Sequence, residues 1–261
     1  MKTFLKWTFI CVVLPAICVG GYALWVLFGN KASNPCNYAT VGSISEPWGY
    51  ERIDGNDAAY SSFLRSLPLM GRGAKVKLYT GGIARLQSLA YAVVDVPLLS
   101  NAEQCADVCM RMRAEYLFQT GQYGRIRFQD VNGRTLSYGG GSSRKAFARY
   151  LRNLYGVAST YSLSREMKTR RLCDMQPGDV FVYPARPGRK YGHAVMVVDV
   201  AVSKSGKKAF LLAEGNTPAR NIHVLRNFEN PFRSPWFMLD DEAENLLLSV
   251  FHYHSKDLKH F

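Results

Sequence analysis

Between Met175 and Leu225 the chain repeats one local rhythm, a turn followed by a short apolar run, four times. Met175-Gln176-Pro177-Gly178-Asp179 is a turn, and Val180-Phe181-Val182-Tyr183 reads as a strand. A basic loop containing Pro and Gly then runs to Gly192, and His193 opens a second strand that continues to Val202. Lys204-Ser205-Gly206 turns the chain into a third strand, Ala209 to Glu214. Residues 215–219 turn it into a fourth, Ile222 to Leu225. Connections this short leave no room for crossover helices, so the strands pair antiparallel.

The preceding region carries the helices. Residues 57–67 place Tyr60, Phe63, Leu64 and Leu67 at helical spacing and stop at Pro68. Residues 101–119 align Cys105, Val108, Cys109, Met112 and Tyr116 on one face. Ser100 with Glu103, or Asn101 with Gln104, has the spacing of a capping box. Residues 143–155 form an amphipathic helix, with Phe147, Tyr150, Leu151 and Leu154 opposite Arg144, Arg149 and Arg152. Residues 75–79 alternate as a strand, 88–96 form a nearly continuous apolar strand, and 124–138 suggest a hairpin about Asn132-Gly133. Helices ahead of an antiparallel sheet make the body α+β.

The first thirty residues differ from this body. Lys2 and Lys6 precede 24 uncharged residues that end at Lys31, and about 20 suffice to span a bilayer. Lysines before the span keep the N-terminus inside and export the body. The expectation is an anchor in the inner membrane with the body in the periplasm or outside the cell. The alternative is secretion after cleavage of a signal. Residues 1–30 are thus the anchor or signal, 31–50 a tether, 51–240 the α+β domain with an insertion at 120–172, and 241–261 a C-terminal tail.

The 33 Lys and Arg exceed the 20 Asp and Glu, a formal charge of +13. No nucleic-acid-binding motif accompanies this charge, so no nucleic acid is expected. The positive surface suits anionic envelope polymers or lipid headgroups.

Three features carry chemistry. Cys105 lies in the first or second turn of a capped helix, where free amides and the macrodipole favour a thiolate. His193 opens a strand at the mouth of a loop, where an imidazole can take a proton and return it. Glu214, Asn216 and His223 follow, and any of them can orient the imidazole. Each has a plainer explanation as well. Cys105 shares its face with core residues and would look the same as an inert buried thiol. Cys109, one turn further in, reads as core. His252 and His254 lack partners at metal-ligand spacing, and neither metal nor cofactor is expected. Cys36 and Cys173 lie in turn-like segments where a disulfide depends on geometry.

The turn at Pro177-Gly178-Asp179, the strand after it, and Gly192-His193 opening another apolar strand resemble the NlpC-like and CHAP-type thiol hydrolases. The resemblance implies a papain-like fold: a nucleophilic Cys at a helix start, a His on the second strand of an antiparallel sheet, and a third polar residue on the next strand. Gln104-Cys105-Ala106-Asp107, His193, then Glu214 or Asn216 follow that order. The spacing of 88 residues from Cys105 to His193 exceeds that in compact cell-wall hydrolases and accommodates the insertion. More closely, residues 43–236 resemble a family of exported bacterial proteins catalogued as a domain of unknown function. That likeness rests on Leu64-Arg65-Ser66-Leu67-Pro68-Leu69, Gln104-Cys105-Ala106-Asp107, Met112-Arg113-Ala114-Glu115-Tyr116, Gly192-His193-Ala194-Val195 and Ile222-His223-Val224-Leu225.

The expectation is a membrane-anchored thiol hydrolase that cleaves an amide of the cell envelope, such as one in a peptidoglycan stem peptide. Cys105 is the nucleophile, His193 the base, and Glu214 or Asn216 the orienting group. Gln104, Arg186, Arg189 and Tyr191 are the expected substrate contacts. The alternatives are a non-catalytic envelope-binding module on the same fold and a thiol acyltransferase.

Overall fold

A computed structural model describes residues 17–21, 33–185, 187–188 and 190–261. Apart from a short helical stretch at 17–21, the expected membrane span lies outside the described residues. Among the described residues no helix is long and apolar enough to cross a membrane.

The fold is α+β with a large antiparallel sheet. In chain order its elements are β1 (Tyr50–Arg52), α1 (Ala58–Arg65), β2 (Ala90–Val93), α2 (Cys105–Gln119), β3 (Arg127–Gln129), β4 (Thr135–Ser137), α3 (Arg144–Val157) and α4 (Thr160–Glu166). The strands β5 (Lys168–Thr169), β6 (Val180–Tyr183), β7 (His193–Ser203), β8 (Lys208–Glu214), β9 (His223–Leu225), β10 (Phe237–Met238), β11 (Asn245–Leu248), β12 (Phe251–His254) and β13 (Leu258–His260) follow. The main sheet runs β2-β9-β8-β7-β6-β13-β5, with β1 also on β7 and β10 on β8. Strands β3 and β4 form the expected separate hairpin.

The sheet buries both faces. Ala194, Met196 and Val198 of β7 join the larger core with α2, whereas Val195 and Val197 join a second core with Leu246, Leu248 and Tyr253 of the β11–β12 hairpin. A bulge between Val197 and Asp199 inserts one residue against β8. Alternation therefore reverses, and Val200 faces the second core while Ala201 faces the first.

Four expectations are corrected. Of the expected tether 31–50, the described residues 33–50 are packed against the domain: Asn34, Val41 and Ile44 are buried, and Asn34 Nδ2 donates to the Met70 carbonyl at 2.9 Å. Residues 75–79 make only isolated bridges, because side-chain amides replace the ladder there. Val76 N–H donates to Gln87 and Lys77 N–H to Asn221. The C-terminal stretch is not a tail, since β13 enters the main sheet between β6 and β5. Finally, α2 starts later than its capping signatures suggest. Gln104 is the N-cap, and its N–H donates to Asp107 Oδ2 at 2.9 Å. Glu103 does not cap this helix. It accepts from Leu99 N–H and pairs with Arg111 in the interior.

Candidate active site

That later start places Cys105 at the first helical position of α2. The amides of a first helical turn have no intrahelical acceptor, so Cys105 sits at the end of α2 where the macrodipole is positive. Cys105 is mostly buried, while Cys109 is wholly enclosed and its Sγ hydrogen-bonds the Cys105 carbonyl. Burial pushes the Cys109 thiol well up, with the neighbouring acids adding to it. Cys109 is a core residue.

The sheet register assembles the other groups. Met196 opposite Ala213 brings the first residue of β7 beside the last residue of β8. Glu214 in turn pairs with His223 of β9. His193 Nε2 lies 2.6 Å from Glu214 Oε2, and the Cys105 side chain is the imidazole's other hydrogen-bond partner. His193 therefore bridges thiol and carboxylate. His223 holds the far side of Glu214, with Nε2 3.4 Å from Oε1 and Nδ1–H donating to the Asn221 carbonyl at 3.0 Å. Asn216 Nδ2 also donates to Glu214 Oε1, at 3.0 Å. Of the two candidates for the orienting group, Glu214 touches the imidazole and Asn216 supports Glu214.

Burial alone would pull the His193 imidazole toward neutrality. Hydrogen bonds to Cys105 and Glu214, and the charges of both, outweigh it and raise the pKa to about 10. Burial likewise opposes ionisation of Glu214, but hydrogen bonds and charge from His193 and His223 lower its pKa to about 2. The arrangement holds a proton on the imidazole beside the thiol and a full negative charge behind it.

Two glycines make room for these residues. A Cβ on Gly192 would lie 2.6 Å from the Tyr183 carbonyl oxygen and closer still to Thr160 Oγ1. A Cβ on Gly215 would lie 2.6 Å from Val108 Cγ2. The first lets β7 begin against β6, and the second lets the end of β8 approach α2. The His193 ring is also stacked on Phe251, with centroids 3.9 Å apart. Nothing in the sequence marks Phe251, which lies on a hairpin 58 positions away.

A cavity of about 250 Å³ opens beside Cys105, walled by Gln104, Asp107, Tyr155, Thr160, Tyr191 and Thr217 among others. Gln104 Oε1 accepts from the Thr217 hydroxyl at 2.8 Å, which leaves its NH₂ group as a donor. Tyr191 is largely exposed at the mouth. Arg186 and Arg189 lie outside the described residues. Cys36 and Cys173 are both free and exposed. Among the described residues no group of three or more His, Cys, Asp or Glu is arranged to hold a metal ion.

The fold and site define an α+β protein with a thiol–imidazole–carboxylate chain at the junction of a helix start and sheet strands. Residues 41–140 and 139–260 match the family described as a domain of unknown function (4846), and the chain belongs to that family. No curated protein and no solved structure matches it.

Proposed function

We propose that the protein is a thiol hydrolase acting on an amide bond. The observation that carries this reading is the continuous chain Cys105–His193–Glu214, with the sulfur at a helix N-terminus. The Cys105 thiolate attacks the amide carbonyl carbon. The oxyanion forms against the free amides at the start of α2 and the Gln104 NH₂ group. The His193 imidazolium protonates the departing amine, leaving a thioester on Cys105. Neutral His193 then takes a proton from water, whose oxygen attacks the thioester. The C–S bond breaks, the carboxylic acid leaves, and Cys105 departs as the thiolate beside the imidazolium, which restores the starting protonation. The same order of parts in the NlpC-like and CHAP-type enzymes supports a papain-like description. The uncharged N-terminal stretch behind Lys2 and Lys6, with the excess of positive charge, supports an exported, membrane-anchored body acting on an envelope polymer such as a peptidoglycan stem peptide.

The test is the rate of Cys105 alkylation by iodoacetamide against pH, read by mass spectrometry in the wild type and in His193→Ala. Fast labelling at neutral pH that slows at least tenfold without His193 is the expected result, because the imidazolium stabilises the reactive thiolate. Slow labelling of the folded wild type, unchanged in the variant, sinks the reading and marks Cys105 as a structural thiol.

A further inference from the structure

A second cavity, of about 410 Å³, lies away from the thiol and is lined by Tyr38, Trp48, Tyr91, Phe232, Arg233 and Trp236 among others. Five of these six residues are aromatic, and two of them stand in solvent. Trp48 is 98% exposed and Phe232 is 56% exposed. Trp is a highly buried residue type on average, and large apolar side chains gathered on a surface mark an interaction site.

Neither side chain sits on a loose segment. Trp48 lies in a turn closed by Tyr50 N–H on the Pro47 carbonyl at 3.0 Å, and Gly49 supplies its positive φ of +83°. Phe232 lies on a loop organised by Asn227. The Asn227 Nδ2 donates to the Trp236 carbonyl at 2.8 Å, and its Oδ1 accepts from the amides of Glu229 and Asn230. Trp236 Nε1–H donates to the Ser45 carbonyl at 2.7 Å, which joins the two segments. The charge of the wall is positive. Arg233 is exposed and its Nη1 donates to the Met238 sulfur at 3.4 Å rather than to a carboxylate. Glu46, the acid of this wall, is paired with Arg52.

The position of this face names its partner. Asn34 N–H donates to the Tyr91 carbonyl, and Asn34 Nδ2 to the Tyr38 carbonyl at 2.8 Å, so the chain enters the domain at the cavity wall. The 24 uncharged residues that follow Lys6 end at Asn30, three positions before Ser33. Three residues reach about 11 Å at most. A bilayer has roughly 5–8 Å of polar headgroup layer on each side. Trp and Tyr settle in that layer, and cationic side chains suit its anionic lipids.

We propose that this aromatic face lies on the lipid headgroup layer, with Trp48 and Phe232 inserted and Arg233 against lipid phosphates. The inference rests on the membrane-anchored reading and fixes how the domain stands on the bilayer. Trp236 precedes β10, where Phe237 pairs with Phe210 of β8. Glu214 lies four residues further along β8, about 13 Å at 3.3 Å per residue. Docking of the face therefore holds the Cys105–His193–Glu214 chain out from the lipid.

The experiment reconstitutes the full chain, carrying Trp7→Phe and Trp25→Phe, in vesicles of phosphatidylcholine and phosphatidylglycerol. Trp48 and the buried Trp236 remain as reporters. A chain that also carries Trp48→Phe is subtracted, which leaves the Trp48 emission. Lipids brominated near the headgroup should quench that emission by about half, and lipids brominated at the chain end should quench it less. Phe232→Ser with Arg233→Ser, which keeps Trp48 and the N-terminal stretch, should restore most of the emission. Quenching unchanged in that double variant overturns the docked face. Unquenched Trp48 in a chain that resists alkaline carbonate extraction overturns the docked face and leaves the anchor standing. An extractable chain with Trp48 quenched overturns the anchor and keeps the face as a lipid-binding surface. An extractable and unquenched chain overturns both. Trp48 emission that ignores lipid but responds to added peptidoglycan fragments overturns the lipid assignment in favour of a glycan.

Discussion

Two buried carboxylates sit on neighbouring strands of one sheet, each gripped by two basic side chains, and they serve opposite ends. Asp199 on β7 receives Arg52 Nε on Oδ2 at 2.6 Å and Arg65 Nε on Oδ1 at 2.7 Å. Glu214 on β8 receives His193 and His223. Both carboxylates are completely buried. The guanidinium groups cannot lose their protons in any accessible pH range, and their other donors go to the carbonyls of Ile44 and Ile53 and to the carboxylates of Glu46 and Asp54. That cluster ties the packed N-terminal segment, β1 and α1 to the sheet and keeps a fixed charge. The imidazoles can shed their protons, so the Glu214 cluster can hold charge or pass it on. Its outer end reaches a thiol and a cavity, while the Asp199 cluster reaches only backbone and other acids. Pairing a buried acid is therefore not a sign of chemistry. The sign is a partner able to exchange its proton at a site that a ligand can reach.

The contrast can be broken most violently at Asp199. Asp199→Ala leaves two guanidinium groups half buried with no acceptor between them, and should cost about 3–5 kcal/mol of stability. Denaturant unfolding at pH 7 measures it, and a loss below about 1 kcal/mol would mean the cluster is not the clamp described here.

Glu214→Gln should cost less stability, about 1–3 kcal/mol, because an unpaired imidazole can become neutral instead of remaining charged. Its signature is in pH. His193 is raised to about 10 from 6.5, so its contribution is fully present below pH 6.5 and is lost as pH rises through 10. Glu214 is lowered to about 2 from 4.5, so its contribution is present above pH 4.5 and is lost as pH falls through 2. The difference in unfolding free energy between wild type and Glu214→Gln should be greatest between pH 4.5 and 6.5 and shrink on both sides. A flat difference from pH 4 to 9 would refute the coupled pair. The same variant should slow Cys105 alkylation at neutral pH by roughly tenfold, the scale of losing a charged hydrogen bond.

Phe251→Leu makes the finest distinction. It removes the ring under His193 but no charge, and should cost about 1 kcal/mol with a two- to threefold change in Cys105 alkylation. A larger kinetic effect than that of Glu214→Gln would show that stacking, not the carboxylate, positions the imidazole.

Much of this fold is legible in the chain. The strands from Val180 to Leu225 announce themselves because each is a short apolar run between turn residues, and the same holds for α1, α3 and the β3–β4 hairpin. The start of α2 is misread because two pairs, Ser100 with Glu103 and Asn101 with Gln104, have capping-box spacing ahead of the pair that caps it, Gln104 with Asp107. Only the burial of Glu103 against Arg111 removes one pair from contention. Residues 75–79 alternate like a strand, yet Gln87 and Asn221 satisfy the backbone that a neighbouring strand would have paired. At the site, Cys105 and His193 stand out by their positions at element starts, whereas Phe251 looks like an ordinary core aromatic.

The sequence by itself determined the α+β order, the four short strands, and the placing of a cysteine near a helix start and a histidine at a strand start. Those are local consequences of periodicity and turn chemistry over a few residues. Only the tertiary structure decided that Glu214 rather than Asn216 meets the imidazole and that β13 and Phe251 return to the sheet. These depend on strand register and on packing between segments far apart in the chain. A one-residue change of register would turn Glu214 or Phe251 to the other face of its strand.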